Sequence, residues 1–98
     1  MAKYYLAIDL GASSGRHILG TLENGKMKLQ EIYRFPNGAK KVNGKKCWDI
    51  EQIFTHVVNG IKECGKLGIV PESVAIDTWG LDYVLLDEND KLLGQAVN

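Results

Sequence analysis

A glycine-rich turn between two strand-like segments constrains the fold of this chain more than any other feature. The apolar run Tyr4-Tyr5-Leu6-Ala7-Ile8 is typical of a buried central strand, and the turn Asp9-Leu10-Gly11-Ala12-Ser13-Ser14-Gly15-Arg16 follows it directly. A second strand-like segment follows the turn and ends before Asn24-Gly25, and a third occupies residues 26–35. Because Asn-Gly between two such segments is the strongest short-range signal of a hairpin, the sequence predicts three consecutive antiparallel strands.

The turn carries the functional groups that bind phosphate. Glycine lets the backbone turn tightly and lets a ligand approach its amides, and successive amides in such a turn form an anion-binding concavity. Ser13 and Ser14 add hydroxyl donors, and Arg16 adds a planar cation suited to phosphate oxygens. Asp9 is placed to orient the water shell of Mg²⁺. Together these residues predict a site for a magnesium-bound polyphosphate.

The same residues also match G-x-S-x-G, the nucleophile elbow of serine hydrolases, with Ser13 at its centre. That elbow requires a helix after the turn, whereas the hairpin signal predicts a strand there. His17 falls on the predicted strand and His56 on a predicted helix, so no convincing catalytic triad emerges. A purely structural Gly/Ser turn remains the other alternative to a phosphate loop.

Composition narrows the classes of function. The 98 residues suffice for one small domain, and a hydrophobic content of 45% argues against disorder. Twelve basic and twelve acidic residues balance, so neither nucleic acid nor a membrane is an expected partner. The apolar run after Lys3 is too short for a signal sequence or a membrane span. Cys47 and Cys64 do not form a CxxC pair, and we expect reduced thiols in a cytoplasmic protein, with Cys64 in the core.

A loop and a helix are predicted after the third strand. Pro36-Asn37-Gly38 ends that strand, and the lysines around Asn43-Gly44 are expected in a solvated loop or small hairpin rather than a basic binding patch. Asp49 is placed as a helix N-cap, and Gln52 completes a capping box. The apolar residues that follow have helical spacing and predict one stripe that packs on the core: Ile53, Phe54, Val57, Val58, Ile61 and Cys64.

Three single residues carry smaller predictions. Ile32 breaks the apolar alternation of the third strand and therefore indicates a bulge nearby. His56 lies off the apolar stripe of the helix, and we expect it in solvent. Trp48 either packs at the entry of the helix, which we favour, or lines a site.

The last third of the chain predicts a crossover and a terminal hairpin. Residues 73–76 form a second buried strand after the helix, and a strand–helix–strand order implies a crossover with the helix on one face of the sheet. Residues 83–86 and 92–93 flank a polar stretch that is typical of a hairpin turn. The expected fold class is α/β, with a mixed sheet.

A second cluster of functional groups, Asp77-Thr78-Trp79-Gly80-Leu81-Asp82, follows the second buried strand, where open α/β sheets place ligands. Carboxylates accept hydrogen bonds from hydroxyls, an indole covers a C–H face, and Gly80 allows close approach. This favours a polyhydroxy ligand, and a capped turn with a packed tryptophan is the equal alternative. Either Asp77 or Asp82 has the chemistry of a general base, and the sequence does not show which carboxylate reaches a substrate.

The two clusters together resemble a known family. Ile8-Asp9-Leu10-Gly11-Ala12-Ser13-Ser14-Gly15-Arg16 resembles the first phosphate motif of the actin/hexokinase/Hsp70 superfamily in its sugar-kinase form. Residues 31–38, Trp48-Asp49 and residues 76–87 resemble the start of the rhamnulokinase family of FGGY carbohydrate kinases. The resemblance implies a ribonuclease H-like, actin-type ATPase domain. Residues 1–98 would be the incomplete N-terminal part of kinase domain I.

The resemblance also implies a distribution of roles. The residues that would contact the phosphates of ATP are Ala12, Ser13, Ser14, Gly15 and Arg16. Asp9 would act near Mg²⁺ through water, and Gly80 would lie at the sugar, with Asp77, Trp79 and Asp82 as neighbours. The implied reaction transfers the γ-phosphoryl group of ATP to the 1-hydroxyl of L-rhamnulose.

In this family the catalytic aspartate, the second phosphate motif and the adenosine site lie downstream of the matched region, so no catalytic residue is expected here. We therefore expect the 98-residue chain alone to be inactive. Because an incomplete sheet leaves apolar surface and an unpaired edge, we also expect it to self-associate or to exchange elements between copies. One alternative is a related kinase for xylulose, fuculose or glycerol. Others are an actin-like or Hsp70-like ATPase that uses no sugar, and a non-enzymatic interaction module.

Overall fold

The fold was analysed in a computed structural model, which describes residues 2–94 and 96–98. These residues form five strands, one helix and then two further strands. Their bounds are β1 (Tyr4–Leu10), β2 (Ser14–Glu23), β3 (Lys26–Pro36), β4 (Lys40–Val42), β5 (Lys45–Trp48), α1 (Ile50–Lys66), β6 (Ser73–Asp77) and β7 (Ala96–Val97).

The main sheet has the strand order β3-β2-β1-β6. Strands β1, β2 and β3 pair antiparallel in sequence order, whereas β6 pairs parallel to β1. Parallel neighbours need a crossover, and α1 supplies it. The structure therefore confirms the predicted α/β class, the three antiparallel strands and the mixed sheet.

Two local predictions in the antiparallel part are confirmed. Asn24 and Gly25 both adopt positive φ, 54° and 76°, as a tight hairpin turn requires. In the ladder between β2 and β3, Tyr33 pairs with His17 and Glu31 pairs with Ile18. Ile32 is thus the extra residue of a β-bulge, as its break in the apolar alternation indicated.

Helix α1 covers one face of the sheet. The buried core residues from the two layers are Leu6, Ile8, Leu19, Val57 and Cys64. The Asp49 side chain caps the helix, because its Oδ1 accepts from the Gln52 amide at 3.1 Å. Gly60 lies against the ring of His17, and a Cβ at this position would overlap that ring. The helix therefore needs glycine here to approach the sheet closely.

The apolar stripe predicted for α1 is only partly correct. Phe54 is 65% exposed and Ile61 is 40% exposed, so neither packs in the core. The reason is that only a narrow stripe of α1 is buried against β2 and β3, and this stripe consists of Val57, Gly60 and Cys64. The expectation that His56 lies in solvent is wrong, since its ring stacks on Phe35 with centroids 4.3 Å apart.

Strand β6 is also less buried than predicted. All five of its residues are exposed, including Val74 and Ile76. Its apolar sequence resembles that of a central strand, but β6 lies at the edge of the described sheet and α1 does not extend over it. Central strand β1 likewise buries only alternate residues, since Tyr5 on its second face is 40% exposed.

A small second sheet with the order β4-β5-β7 completes the chain. The lysine-rich segment forms the predicted small hairpin, with Asn43 and Gly44 at its turn. The predicted terminal hairpin is present as a short one, with a bridge between Leu86 and Leu92 and a backbone bond from the Leu93 amide to the Leu85 carbonyl. The Asp87 side chain stabilises its turn. No helix within the described residues has the length and apolar character that a membrane span requires.

Candidate functional site

The two clusters singled out in the sequence lie at the same end of the sheet. Strands β1 and β6 run parallel, with Asp9 in register with Asp77. The backbones of neighbouring strands are about 4.8 Å apart, and registered residues face the same side of the sheet. Asp9 and Asp77 thus form a pair of adjacent, exposed residues, and the turn after β1 and the segment after β6 leave from the same edge.

The turn itself, residues 11–14, connects two strands. The Gly11 amide donates to the Ser14 carbonyl at 2.9 Å and closes it. A Cβ on Gly11 would lie 3.0 Å from that carbonyl oxygen, so glycine is favoured here. Ala12 and Ser13 are exposed at the tip. Because a strand follows the turn, the nucleophile-elbow alternative for Ser13 fails, as the Asn24-Gly25 signal predicted.

Gly15 has a packing role that the sequence did not reveal. It is buried, and a Cβ on it would overlap the ring of Phe35 in the neighbouring strand. Phe35 in turn stacks on His56, whose Nδ1 lies 2.7 Å from the hydroxyl of Tyr33. The turn therefore rests on an aromatic cluster, which we define as Tyr33, Phe35, His56 and His17.

Asn37 holds the turn from the end of β3. Its backbone amide donates to the Ser13 carbonyl at 3.0 Å, and its Nδ2 donates to the Gly11 carbonyl at 2.9 Å. From its sequence position, Asn37 is predicted only to end a strand, and this contact is not apparent. Asparagine at a turn often bonds to nearby backbone, but here the partner lies 26 residues away, a distance that sequence spacing does not reveal.

A charged pair stands beside the turn. Arg16 is the cross-strand neighbour of Asp9, and its Nε lies 3.4 Å from Asp9 Oδ2. This Nε is buried and has no hydrogen-bond partner among the described residues. The Arg16 side chain as a whole is 37% exposed, and a planar guanidinium suits phosphate oxygens.

The carboxylate of Asp9 is 51% exposed, which leaves room for a metal-bound water. Within the described residues, no group of three or more His, Cys, Asp or Glu side chains converges as a metal cage. Mg²⁺ commonly keeps several waters and binds through one or two carboxylates together with substrate phosphates. The donor set around Asp9 fits that mode of binding.

Residues 77–82, which we name the sugar segment after the role that the family resemblance implies, are organised around two indole rings. Trp79 stacks on Trp48 with ring centroids 4.1 Å apart, and the indole N–H of Trp48 donates to the carboxylate of Asp82. Trp48 is buried, in agreement with the favoured packing alternative, and it also borders a cavity. Leu81 is fully exposed and adopts a φ of 74°, an uncommon backbone conformation for leucine.

A cavity of about 390 Å³ joins the turn to the sugar segment. Its lining residues are Ala12, Trp48, Trp79, Gly80, Leu81, Asp82 and Asn98. No atom lies within 4 Å of the position that a Cβ on Gly80 would occupy, so its backbone is open to a ligand. Asp77 does not line this cavity and lies beside Asp9 instead.

The buried titratable groups support the scaffold. His17 is fully buried, with its Nε2 3.0 Å from the Val57 carbonyl, and burial lowers the pKa of its imidazole. Burial raises the pKa of the Cys64 thiol, which therefore behaves as an apolar core group, as expected from the sequence. Both cysteines are free thiols.

Curated proteins similar to this chain share one name. Rhamnulokinase from Halalkalibacterium halodurans is 50% identical over 95 residues, which cover 97% of the chain and 20% of that protein. Rhamnulokinase from Oceanobacillus iheyensis is 49% identical over 98 residues, covering 100% and 21%. The chain thus spans about one fifth of the length of the curated relatives it matches. No protein-family model matches it.

Solved structures show the same fold. A gluconate kinase from Lactobacillus acidophilus superposes with a TM-score of 0.78 at 19% identity, over 99% of this chain and 20% of that one. A xylulose kinase from the same organism gives 0.75 at 19% identity, over 97% and 19%. The described residues thus have the fold of part of an actin-like ATPase domain. Over almost its whole length, the chain is similar to about one fifth of each of these proteins named rhamnulokinase.

Proposed function

We propose that this chain forms part of an ATP-dependent sugar kinase that phosphorylates L-rhamnulose at its 1-hydroxyl to give L-rhamnulose 1-phosphate. The observation that carries the proposal is the register of Asp9 with Asp77, which brings a phosphate-type turn and a sugar-type segment to one cavity. The name of the relatives supports the sugar. In this proposal, residues 1–98 belong to kinase domain I of a cytoplasmic enzyme.

On the phosphate side, the turn and its flanking residues bind the ATP phosphates. The amides of the turn, the hydroxyls of Ser13 and Ser14 and the guanidinium of Arg16 are the donors, and Ala12 and Gly15 complete the contact surface. Asp9 orients waters on the magnesium ion. When bound, Mg²⁺-ATP supplies the γ-phosphoryl group. Such catalysis depends on positioning and on neutralising charge, which are the tasks that these residues perform.

On the sugar side, the ligand contacts the open backbone of Gly80 and the ring face of Trp79. Asp82 directs one oxygen to the indole of Trp48, and its carboxylate has further acceptor capacity for a sugar hydroxyl. Asp77 is a more distant neighbour, next to Asp9. Neither aspartate is proposed as the catalytic base, which the family resemblance puts outside this chain.

The decisive experiment measures ADP release by the full-length protein that contains this chain, with L-rhamnulose, xylulose, fuculose and glycerol as acceptors. We expect the highest kcat/KM with L-rhamnulose. Arg16→Ala should raise the KM for ATP by about tenfold or more, because hydrogen bonds to charged groups are strong. Lys28→Ala is the matched control, since Lys28 pairs with Glu23 on the surface near the Asn24-Gly25 end of the hairpin. ATP hydrolysis that no sugar stimulates would instead favour an actin-like or Hsp70-like ATPase.

The chain by itself should give no L-rhamnulose-dependent ADP release and should self-associate. The edge strand β6 exposes Val74 and Ile76, and an uncovered apolar edge favours association between copies. Light scattering at increasing concentration tests the second expectation, and a clean monomer at millimolar concentration would refute it. Turnover by the isolated chain would refute the first.

A further inference from the structure

We propose that Asn37 is the positioning residue that orients the phosphate-binding turn, a role that rests on the proposed kinase function. The turn exposes both amides and carbonyls, and only the amides attract a phosphate oxygen. An effective phosphate site therefore needs its carbonyls turned away from the ligand and held there. Asn37 binds two of them, those of Gly11 and Ser13.

Peptide geometry converts this contact into an orientation of the amides. The C=O and N–H of a trans peptide point in opposite directions, and the described residues contain no cis peptide. The Gly11 carbonyl shares its peptide with the amide of Ala12, and the Ser13 carbonyl shares its peptide with the amide of Ser14. With both carbonyls directed at Asn37, the amides of Ala12 and Ser14 point away from it.

The side-chain bond of Asn37 acts where the turn is weakest. The Ser13 carbonyl is held by a backbone amide, at a position that continues the ladder between β2 and β3. The Gly11 carbonyl is held by Nδ2 of Asn37. Glycine lacks a Cβ that would restrict rotation, so the peptide between Gly11 and Ala12 has the most freedom to flip. Ala12 also lines the cavity shared with the sugar segment. A flip there would present a carbonyl to the phosphate.

The test titrates the isotope-labelled chain with inorganic pyrophosphate and follows the backbone amides of Ala12 and Ser14 by NMR. Asn37→Ala keeps the backbone bond to Ser13 and removes the donor to Gly11. We expect it to weaken pyrophosphate binding by about twofold to tenfold, the range of one neutral hydrogen bond, and to reduce the chemical-shift change of the Ala12 amide on binding. Asn37→Asp keeps the side-chain shape but replaces the donor by a negative acceptor, and should weaken binding further.

Asn89→Ala is the matched control, because Asn89 is exposed in a turn where its backbone amide makes the described contact. It should bind pyrophosphate as the unmodified chain does. In the full-length protein, Asn37→Ala should raise the KM for ATP by a similar factor and leave the KM for L-rhamnulose unchanged.

The possible failures are distinguishable. If the unmodified chain shows no pyrophosphate shifts at Ala12 and Ser14, the phosphate turn itself is refuted, and the role of Asn37 with it. If the unmodified chain binds and Asn37→Ala binds equally well, with the same shift change at the Ala12 amide, the role of Asn37 alone is refuted.

Discussion

The phosphate turn and the sugar segment lie at one end of the same sheet, but they are held by different kinds of contact. The turn is fixed by backbone hydrogen bonds between strands, with Asn37 adding one side-chain bond. The sugar segment follows the edge strand as irregular chain and is fixed by side chains, the stacked indoles and the Trp48–Asp82 bond. The turn should therefore keep its conformation when one exposed side chain is replaced. The conformation of the sugar segment should respond to the replacement of a single side chain.

Gly15, which is buried behind the turn, and Gly80, which lines the cavity, give the largest contrast. Gly15→Ala would press a methyl group into the Phe35 ring and should destabilise the chain by about 1–3 kcal/mol, the usual cost of overpacking. Gly80→Ala meets no atom within 4 Å and should change stability by less than about 0.5 kcal/mol. Urea denaturation of both variants measures the difference.

The same two glycine variants distinguish an effect on stability from an effect on sugar binding. In the full-length protein, Gly80→Ala should raise the KM for L-rhamnulose by about tenfold, because an added methyl group at a close approach is worth about 1–3 kcal/mol. Equal stability losses in the two variants would show that the turn is not the better packed region. An unchanged KM in Gly80→Ala would remove Gly80 from the sugar site.

The Trp48–Asp82 bond gives the next effect. Trp48→Phe keeps an aromatic ring against Trp79 but removes the N–H that holds Asp82. We expect the KM for L-rhamnulose to rise by about threefold to tenfold, with the KM for ATP unchanged. Tyr83→Phe, which removes a polar group from an exposed ring, is the control.

A spectroscopic signature accompanies this variant. The chain contains two tryptophans, and they are the stacked pair, so circular dichroism of the unmodified chain should show coupling between the indoles. Trp48→Phe should abolish it. If the coupling is absent from the unmodified chain, or if the KM for ATP rises with that for the sugar, the sugar segment is not organised independently of the turn.

The predictions from the sequence also divide into two groups, those that depend on local contacts and those that depend on contacts between distant residues. The Asn24-Gly25 turn, the bulge at Ile32 and the cap at Asp49 depend on neighbours a few residues away, and all three are confirmed. The bonds of Asn37 to Gly11 and of Trp48 to Asp82 join residues 26 and 34 positions apart. They depend on the packing of separate elements, which local spacing does not encode.

The wrong predictions concern which residues are buried, not which residues form strands and helices. The apolar sequence of β6 predicted a strand correctly, but the strand is exposed because α1 does not extend over it. His56 was expected in solvent because it lies off the apolar stripe of its helix. It packs instead because β3 presents Tyr33 and Phe35 to that side of the helix, which periodicity along the helix alone does not show.

The smallest expected effect is the pH dependence that His17 gives to the scaffold behind the turn. Burial lowers the pKa of His17 below its ordinary value of 6.5, and nearby His56 lowers it further, against the raising effect of the Val57 carbonyl. The unfolded chain therefore takes up this proton at a higher pH than the folded chain. The free energy of unfolding should be highest above pH 6.5 and should fall as the pH decreases from 6.5 toward the folded pKa.

The slope of this loss can reach about 1.4 kcal/mol per pH unit for one group. Protonation would place a second N–H on Nδ1, which is buried without a hydrogen-bond partner among the described residues. Urea denaturation at pH 5.5, 6.5 and 7.5 reports mainly on the histidines, because carboxylates titrate below these pH values. His17→Gln, which has a donor for the Val57 carbonyl, should flatten the dependence, whereas His56→Gln should leave most of it. An equal slope in His17→Gln and the unmodified chain would show that the aromatic cluster does not make the support of the turn sensitive to pH.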